Sequence, residues 1–397
     1  MKVIVVGAGI AGLVAARQFG LAGWDVLVLE KSSTPRPEGY MMDFFGAGVE
    51  AAEQIGLYPR LAAVGYRIDA ADYVDLKGRP TCSISYERFS RLAGGKVLSL
   101  LRPDMEQAAR EALLQDVPSG RIQLRYGAQV TGAGTDDQGA YVRVQKTPPE
   151  TIAADLLIGA DGVHSEIRAQ LFGPEKQYLR PLGMRAAAFI VQDAELNAAF
   201  GNRFVLTDTI DRMAGLYGLR GDSVAAFLVY RDTGATGASS DDSLPRIRDR
   251  LRIEFADTGE AVQRVLQLCP DDPYDDIVAQ IVMPTWHKGR VVLVGDSSGA
   301  VSLLAGQGGS LAVAGAALLA NLLATASAED IASSLERFEQ RWKPTVEAAQ
   351  ISGRRAAASF LPASRFRRLL RRWIIRATQL PGIDRVIAHQ ILRTVAK

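Results

Sequence analysis

Lys2-Val3-Ile4-Val5-Val6-Gly7-Ala8-Gly9-Ile10-Ala11-Gly12-Leu13-Val14 opens the chain with a β-branched apolar run, a glycine cluster, and then apolar residues at helical intervals. The pattern reads as strand, tight turn and helix. A second apolar run, Val26-Leu27-Val28-Leu29, follows Gly23 and ends in Glu30, 18 residues beyond Gly12. Strand, glycine turn, helix, strand and acid at that offset form the fingerprint of a dinucleotide-binding βαβ unit. Gly7 permits the turn, Gly9 lets the backbone approach a pyrophosphate, and Gly12 lets helix and strand pack closely. The helix start around Ala11 turns unpaired N–H groups toward phosphate. Glu30, followed by Lys31, stands where an acid accepts hydrogen bonds from ribose hydroxyls, and this suits NAD or FAD equally.

The rest of the composition sets bounds. A chain of 397 residues holds two to three structural units at about 150 residues each. Hydrophobic residues at 48% and charged ones at 23% exclude disordered, collagen-like and coiled-coil classes. Lys+Arg 46 against Asp+Glu 44 leaves +2, so the chain as a whole offers no footprint for nucleic acid. Cys82 and Cys269 make no disulfide framework, and His164, His287 and His389 show no metal-ligand spacing, so no metal is expected. The apolar run Leu311 to Ala326 is 16 residues broken by Asn321, below the roughly 20 that span a bilayer, and reads as a buried helix. A single Lys2 precedes the first apolar run and no small-residue cleavage site follows, so a cytoplasmic location is expected.

Three further segments carry information. Leu101-Arg102-Pro103-Asp104-Met105 leads into a helix expected over Asp104 to Leu114. The stretch from Asp155 to Arg168 is an apolar strand entering the turn Gly159-Ala160-Asp161-Gly162 and then a helix start with Ser165 and Glu166. Within Gly289 to Asp296, Arg290 to Val294 reads as a buried strand and Gly295-Asp296 as its abrupt end, which would aim the Asp296 carboxylate into the crevice beyond the strand. Ala305-Gly306-Gln307-Gly308-Gly309-Ser310 then opens the long apolar helix.

Together with the fingerprint, these segments, in this order and separation, resemble the single-component FAD-dependent aromatic hydroxylases, the class A or para-hydroxybenzoate hydroxylase-like monooxygenases. The resemblance covers nearly the whole chain. It implies an α/β fold: a Rossmann-like FAD-binding domain with an interleaved antiparallel β-sheet substrate domain and C-terminal helices. The boundaries expected are 1–70, 96–178 and 271–360 for the first, 71–95 and 179–270 for the second, and 361–397 for the helices. It implies FAD as cofactor, held by Gly7, Gly9, Ala11, Gly12, Glu30, Lys31, Arg102, Val130, Asp161, Asp296, Gly306, Gly308 and Gly309. Asp296 would bind the ribityl hydroxyls, Arg102 the flavin or its pyrophosphate, and the Gly306 to Gly309 helix start the flavin pyrimidine edge. The implied cycle has NADPH or NADH reducing FAD, O2 adding at flavin C4a, and the hydroperoxide hydroxylating an electron-rich ring. No protein residue stands out as catalytic, which fits chemistry carried by a cofactor.

The chain departs from the common family pattern after Asp296, where Ser297-Ser298-Gly299-Ala300-Val301-Ser302-Leu303 places Leu303 near a usual proline and Ser310 stands for a usual asparagine. With Trp286-His287-Lys288, these changes resemble the subgroup of natural-product and tetracycline-modifying hydroxylases, implying a bulky aromatic or polycyclic substrate. A related FAD oxidoreductase without oxygen insertion and a non-catalytic flavin- or ligand-binding protein are the competing readings. The halogenase signature WxWxIP is absent among Trp24, Trp286, Trp342 and Trp373.

Four strand-like stretches, Ala186 to Val191, Phe204 to Asp208, Met213 to Leu219 and Val224 to Tyr230, read as an antiparallel sheet that in the resembled fold roofs the flavin. Arg185, Phe189, Met213 and Tyr217 are candidate substrate-lining residues, and Asp43 in Gly39 to Gly46 is a candidate substrate or flavin contact. Leu124 to Val130 with Val142 to Val144 reads as a hairpin. Arg231 to Leu244 reads as an exposed loop. Near the end, Phe366, Leu369, Leu370, Trp373, Ile374 and Ala377 share one helical face while Arg365, Arg367, Arg368, Arg371, Arg372 and Arg376 fill the others. Such a helix either lies weakly on a membrane surface or docks across the fold and closes the cavity with its arginines in solvent; the second is the default. A further helix is expected over Ile383 to Val395, and a monomer or homodimer is the expected assembly.

Overall fold

A computed structural model describes residues 1–35, 39–136, 139–232 and 246–377. The loop expected over Arg231 to Leu244 falls largely outside the described residues, and the helix expected over Ile383 to Val395 falls wholly outside them.

The chain organises around a six-stranded sheet whose order is His287–Lys288, Val291–Leu293, Leu156–Gly159, Lys2–Val6, Asp25–Leu29 and Ile122–Arg125. The five longer strands run parallel, and His287–Lys288 adds an antiparallel edge. Their near-continuous Val, Ile and Leu content follows from burial on both faces. The helices Ile10–Leu21 and Gly308–Leu323 pack together beside the sheet, and Val3, Ile4, Leu13, Phe19, Leu157 and Val313 are all within 1% of fully buried. Among the described residues no helix is long and apolar enough to cross a membrane. The run around Leu311 is instead part of this core.

Val130–Thr135, Ala140–Val144 and Glu150–Ala154 form a three-stranded antiparallel sheet. The hairpin read over Leu124 to Val130 is therefore divided. Leu124 lies in Ile122–Arg125, the parallel edge strand, and the partner of Ala140–Val144 begins only at Val130. The intervening Tyr126-Gly127 supplies a turn, with Gly127 at φ +65, so one apolar stretch serves two sheets.

The second large sheet has seven strands in the order Tyr274–Ile281, Leu179–Gln192, Ser223–Arg231, Arg212–Gly218, Arg203–Thr209, Ala70–Val74 and Pro80–Ser85. The four strands read from sequence are adjacent and antiparallel within it. Tyr274–Ile281, grouped by sequence with the cofactor half, is hydrogen-bonded into this sheet. It pairs with residues 179–181 and 185–188 of Leu179–Gln192, on either side of an irregularity between Pro181 and Arg185 that lets the long strand bend. One face of the sheet packs Ala187, Phe189, Val191, Leu216 and Leu228 under the helices Ile247–Glu254 and Glu260–Gln267. The other carries Met184, Ala186, Met213 and Val229 toward the end of Ile331–Phe360.

Helix Arg365–Ala377 docks on this second sheet, but in the reverse sense to that expected. Four of its arginines reach toward the sheet: Arg371 and Arg372 pair with the fully buried Asp208 carboxylate, Arg368 donates to the Asp208 carbonyl at 3.2 Å, and Arg376 donates to the Thr81 carbonyl at 2.7 Å. The apolar side faces outward, with Phe366 at 73% and Trp373 at 69% exposure. A sheet edge rich in carbonyls and one buried carboxylate draws guanidinium groups more strongly than apolar side chains.

Candidate functional site

A cleft lies beyond the carboxyl ends of the parallel strands, where open α/β sheets place their ligands. It takes in about 1600 Å³ of space counted out through its open mouth. From the strand ending at Glu30 to the strand ending beside Asp296 there are three strand spacings, about 14 Å. The cleft therefore suits an extended ligand.

The fingerprint turn shows why each glycine is where it is. Gly7 has φ +104, and a Cβ there would lie 2.4 Å from the Ala160 carbonyl oxygen. A Cβ on Gly12 would lie 2.0 Å from the Gly7 carbonyl oxygen, so that glycine serves packing and does not line the cleft. Gly9 differs: its Cβ would meet only Glu106 Oε1, at 3.6 Å, and Cβ atoms on Gly306 and Gly308 would meet no protein atom within 4 Å. On these cleft-facing residues the absent side chain leaves room for something other than the chain itself. Helices Ile10–Leu21 and Gly308–Leu323 both begin at the cleft without an acid in the first turn or a side-chain cap bond. Their N–H groups and positive dipole ends are therefore left for an anion.

Of the residues named from sequence, Gly7, Gly9, Ala11, Glu30, Lys31, Arg102, Val130, Asp161, Asp296, Gly306, Gly308 and Gly309 all line this cleft. Glu30 accepts from the N–H groups of Ala8 at 2.8 Å and Ser32 at 2.9 Å, which fixes its carboxylate at the end of its strand. Asp161 accepts from Ser165 Oγ at 2.6 Å and the Ile167 N–H at 3.1 Å, holding the start of helix Glu166–Leu171. Burial raises the Asp161 pKa against those hydrogen bonds. The fully buried Arg168 donates to the Ser297 carbonyl at 3.1 Å, and Ser297 Oγ donates to the Gly159 carbonyl at 2.6 Å. The Asp161 and Asp296 segments are thus one connected structure. Asp296 is exposed to the cleft but ringed by protein, which raises its pKa against the opposing Arg102 charge. Arg102 itself pairs with Glu106 at 2.7 Å, one helical turn away.

Sequence reading missed Tyr40, Glu106, His164, Tyr274 and Asp276, all of which line the cleft. The i, i+4 spacing of Arg102 and Glu106 was a usable signal. Tyr274 and Asp276 had none, because they reach the site only through the bent pairing of Tyr274–Ile281 with Leu179–Gln192. His164 contacts Glu175 at 3.1 Å and Asp276 at 3.2 Å, and the Asp276 hydrogen bond, opposed by burial, takes its pKa up to about 9. Burial pushes the Tyr40 hydroxyl up to about 12 against the Arg102 charge.

A second cavity, about 920 Å³ with its mouth, lies under the seven-stranded sheet. Met213 and Tyr217 line it with Tyr73, Phe204, Phe227, Phe360 and Arg371. Arg185 and Phe189 do not, and their assignment as lining residues is corrected. They share strand parity with Ala187 and Val191, on the face covered by Ile247–Glu254 and Glu260–Gln267. Phe189 is 1% exposed there, and Arg185 pairs with the fully buried Asp275 at 3.3 Å. Asp43 lines neither cavity. It accepts from Tyr86 and, at 3.0 Å, from Ser99, and burial raises its pKa to about 6 against the Ser99 hydrogen bond. The two cavities adjoin where Tyr40, lining the first, meets Phe227, lining the second, with ring centroids 5.4 Å apart.

The FAD binding domain family matches residues 1–350. A flavin-dependent monooxygenase of an unknown prokaryotic organism is 29% identical over 367 residues, covering 91% of this chain and 90% of the relative. An uncharacterized protein of Mycobacterium tuberculosis is 32% identical over 394 residues, covering 93% and 98%. The crystal structure of the tetracycline destructase Tet(55) superposes with a TM-score of 0.78 at 27% identity, over 98% of this chain and 97% of that one.

Proposed function

Because this chain belongs to the FAD binding domain family of flavin-dependent monooxygenases, we propose that it hydroxylates an aromatic or polycyclic small molecule with NADH or NADPH and O2 as co-substrates. It is an FAD-dependent oxidoreductase. The observation that carries the substrate reading is the pair of cavities adjoining at Tyr40 and Phe227: an extended, glycine-lined cleft beside an apolar, aromatic chamber. The likeness to a tetracycline destructase supports a polycyclic occupant for that chamber.

The cleft fits FAD. Gly7, Gly9 and Ala11 with the start of Ile10–Leu21 would take its pyrophosphate, Glu30 a ribose, Lys31 and Val130 the adenosine end, and Asp296 the ribityl hydroxyls. Arg102 would contact the flavin or its pyrophosphate, Asp161 would stand beside it, and Gly306, Gly308 and Gly309 would take its pyrimidine edge. When bound, FAD supplies the redox chemistry, taking electrons from the pyridine nucleotide and activating O2 for transfer of one oxygen atom. The chain's own contribution is placement. The N–H groups opening Gly308–Leu323 favour negative charge near them. The aromatic walls of the second cavity hold a ring against the cleft and keep water from it.

The test reacts FAD-loaded protein with NADPH or NADH under ¹⁸O₂ and a panel of phenols, naphthols and polycyclic enols. Compound-stimulated nucleotide oxidation with one ¹⁸O atom in the product is expected. Stimulated oxidation without label in the product would replace this reading with a reductase that inserts no oxygen. FAD bound tightly but reduced by neither nucleotide, whatever the compound, would leave a binding protein.

A further inference from the structure

The second cavity is lined mostly by apolar and aromatic side chains. Arg371 is the single charged residue among its described lining. It is held firmly: Nη1 donates to the Phe360 carbonyl at 2.7 Å, Nη2 pairs with Asp208, and the guanidinium lies 5.6 Å from the centroid of the Tyr73 ring. The Asp208 carboxylate is fully buried and also pairs with Arg372 at 2.8 Å. One carboxylate therefore serves two guanidinium groups, and the cluster keeps a net positive charge. Arg371 Nε is buried with no hydrogen-bond partner among the described residues, a costly state for a donor removed from water. The Nε atoms of Arg368 and Arg372 are in the same state, but neither residue lines the cavity. On the sheet side, the Tyr217 hydroxyl accepts the Met41 N–H at 2.6 Å and so retains its own proton to donate. The chamber offers donors and positive charge to whatever ring it holds.

We propose that Arg371 determines substrate specificity by receiving an anionic oxygen, a carboxylate or an ionised phenol or enol, on an otherwise apolar aromatic substrate. The inference rests on the monooxygenase reading and names the substrate class of the same site. A guanidinium held against mostly apolar walls discriminates more sharply than a fully solvated one, because an ester or ether that lacks the anion leaves its positive charge uncompensated. Arg371 is set in place by Asp208, which acts as a positioning residue.

The experiment measures binding of 1-hydroxy-2-naphthoate and its methyl ester to the FAD-loaded protein by equilibrium dialysis, for the natural chain, Arg371→Met, Arg371→Lys and Arg372→Met. The natural chain should hold the acid about tenfold or more tighter than the ester. Arg371→Met should lose that preference and Arg371→Lys keep part of it. Arg372→Met, which removes the other Asp208 partner but no cavity-lining residue, should keep it. Equal loss in Arg371→Met and Arg372→Met would reduce Arg371 to a structural role and overturn the inference. So would an acid that binds no tighter than its ester, or does not bind. FAD retention and melting temperature are read for every variant, and if Arg371→Met fails to fold, the natural chain and Arg371→Lys decide. Hydroxylation of neutral compounds without preference for the acid would remove this inference and leave the monooxygenase reading intact.

Discussion

Replacing Gly308 by alanine separates the needs of the protein from the needs of its cofactor. A methyl group there meets no protein atom within 4 Å, and the residue does not have positive φ. Alanine therefore fits the chain, and at a helix start its propensity adds up to about 1 kcal/mol in its favour. The melting temperature without FAD should hold or rise slightly. If FAD fills the space beside Gly308, the same methyl overpacks the complex by about 1–3 kcal/mol, roughly 5- to 150-fold in Kd. At a FAD concentration one hundred times the natural Kd, the cofactor stabilises the fold by about 2.7 kcal/mol, and a tenfold weaker variant would retain about half of that. Gly12→Ala should behave in the opposite way. Its Cβ would lie 2.0 Å from the Gly7 carbonyl oxygen, so it should lower stability by about 1–3 kcal/mol or more with or without FAD. Thermal unfolding by circular dichroism, with and without FAD, and FAD affinity by flavin fluorescence give both numbers. A Gly308→Ala protein that binds FAD as tightly as the natural one, or that melts clearly lower without FAD, would refute the reasoning.

Asp296→Ala should weaken FAD binding by tenfold or more, the loss of a charged hydrogen-bond acceptor being about 1.5–3 kcal/mol; unchanged occupancy on purification would remove its assigned ribityl role. The Asp43 carboxyl, with a folded-state pKa of about 6 against an ordinary 3.8, binds its proton more tightly in the folded state. Stability should therefore fall as pH rises from about 4 to about 6, by up to about 3 kcal/mol. Asp43→Asn should flatten that part of a urea-unfolding pH series, and an unaltered slope would contradict the burial argument. The outward side of Arg365–Ala377 carries Phe366, Leu369, Leu370, Trp373 and Ile374 beside the exposed Arg365 and Arg367. The FAD-loaded protein should consequently co-sediment with phosphatidylserine-containing vesicles more than with pure phosphatidylcholine, and negligible sedimentation with both would end the membrane-surface reading.

The first thirty residues determine the nucleotide-binding unit because every part of it is local. Strand, turn, helix, strand and acid interact within one βαβ crossing, so the tasks of Gly7, Gly12 and Glu30 follow from spacing. Asp161 and Asp296 were legible for a similar reason: each ends a buried strand, and a strand's carboxyl end fixes where the next residue emerges. The seven-stranded sheet was legible as strands but not as a surface. Period-2 alternation says that Arg185 and Phe189 share one face and that Met213 and Tyr217 share one. Both faces are apolar, however, and only the position of helices Ile247–Glu254 and Glu260–Gln267 decides which face is left to the cavity. Likewise the amphipathic pattern of Arg365–Ala377 is plain in the sequence, while its sense is set by Asp208, far earlier in the chain. Hydrophobic periodicity records which residues lie on one side of an element. Which side turns inward depends on partners distant in sequence, and a buried carboxylate that must be paired outweighs the burial of a few apolar side chains.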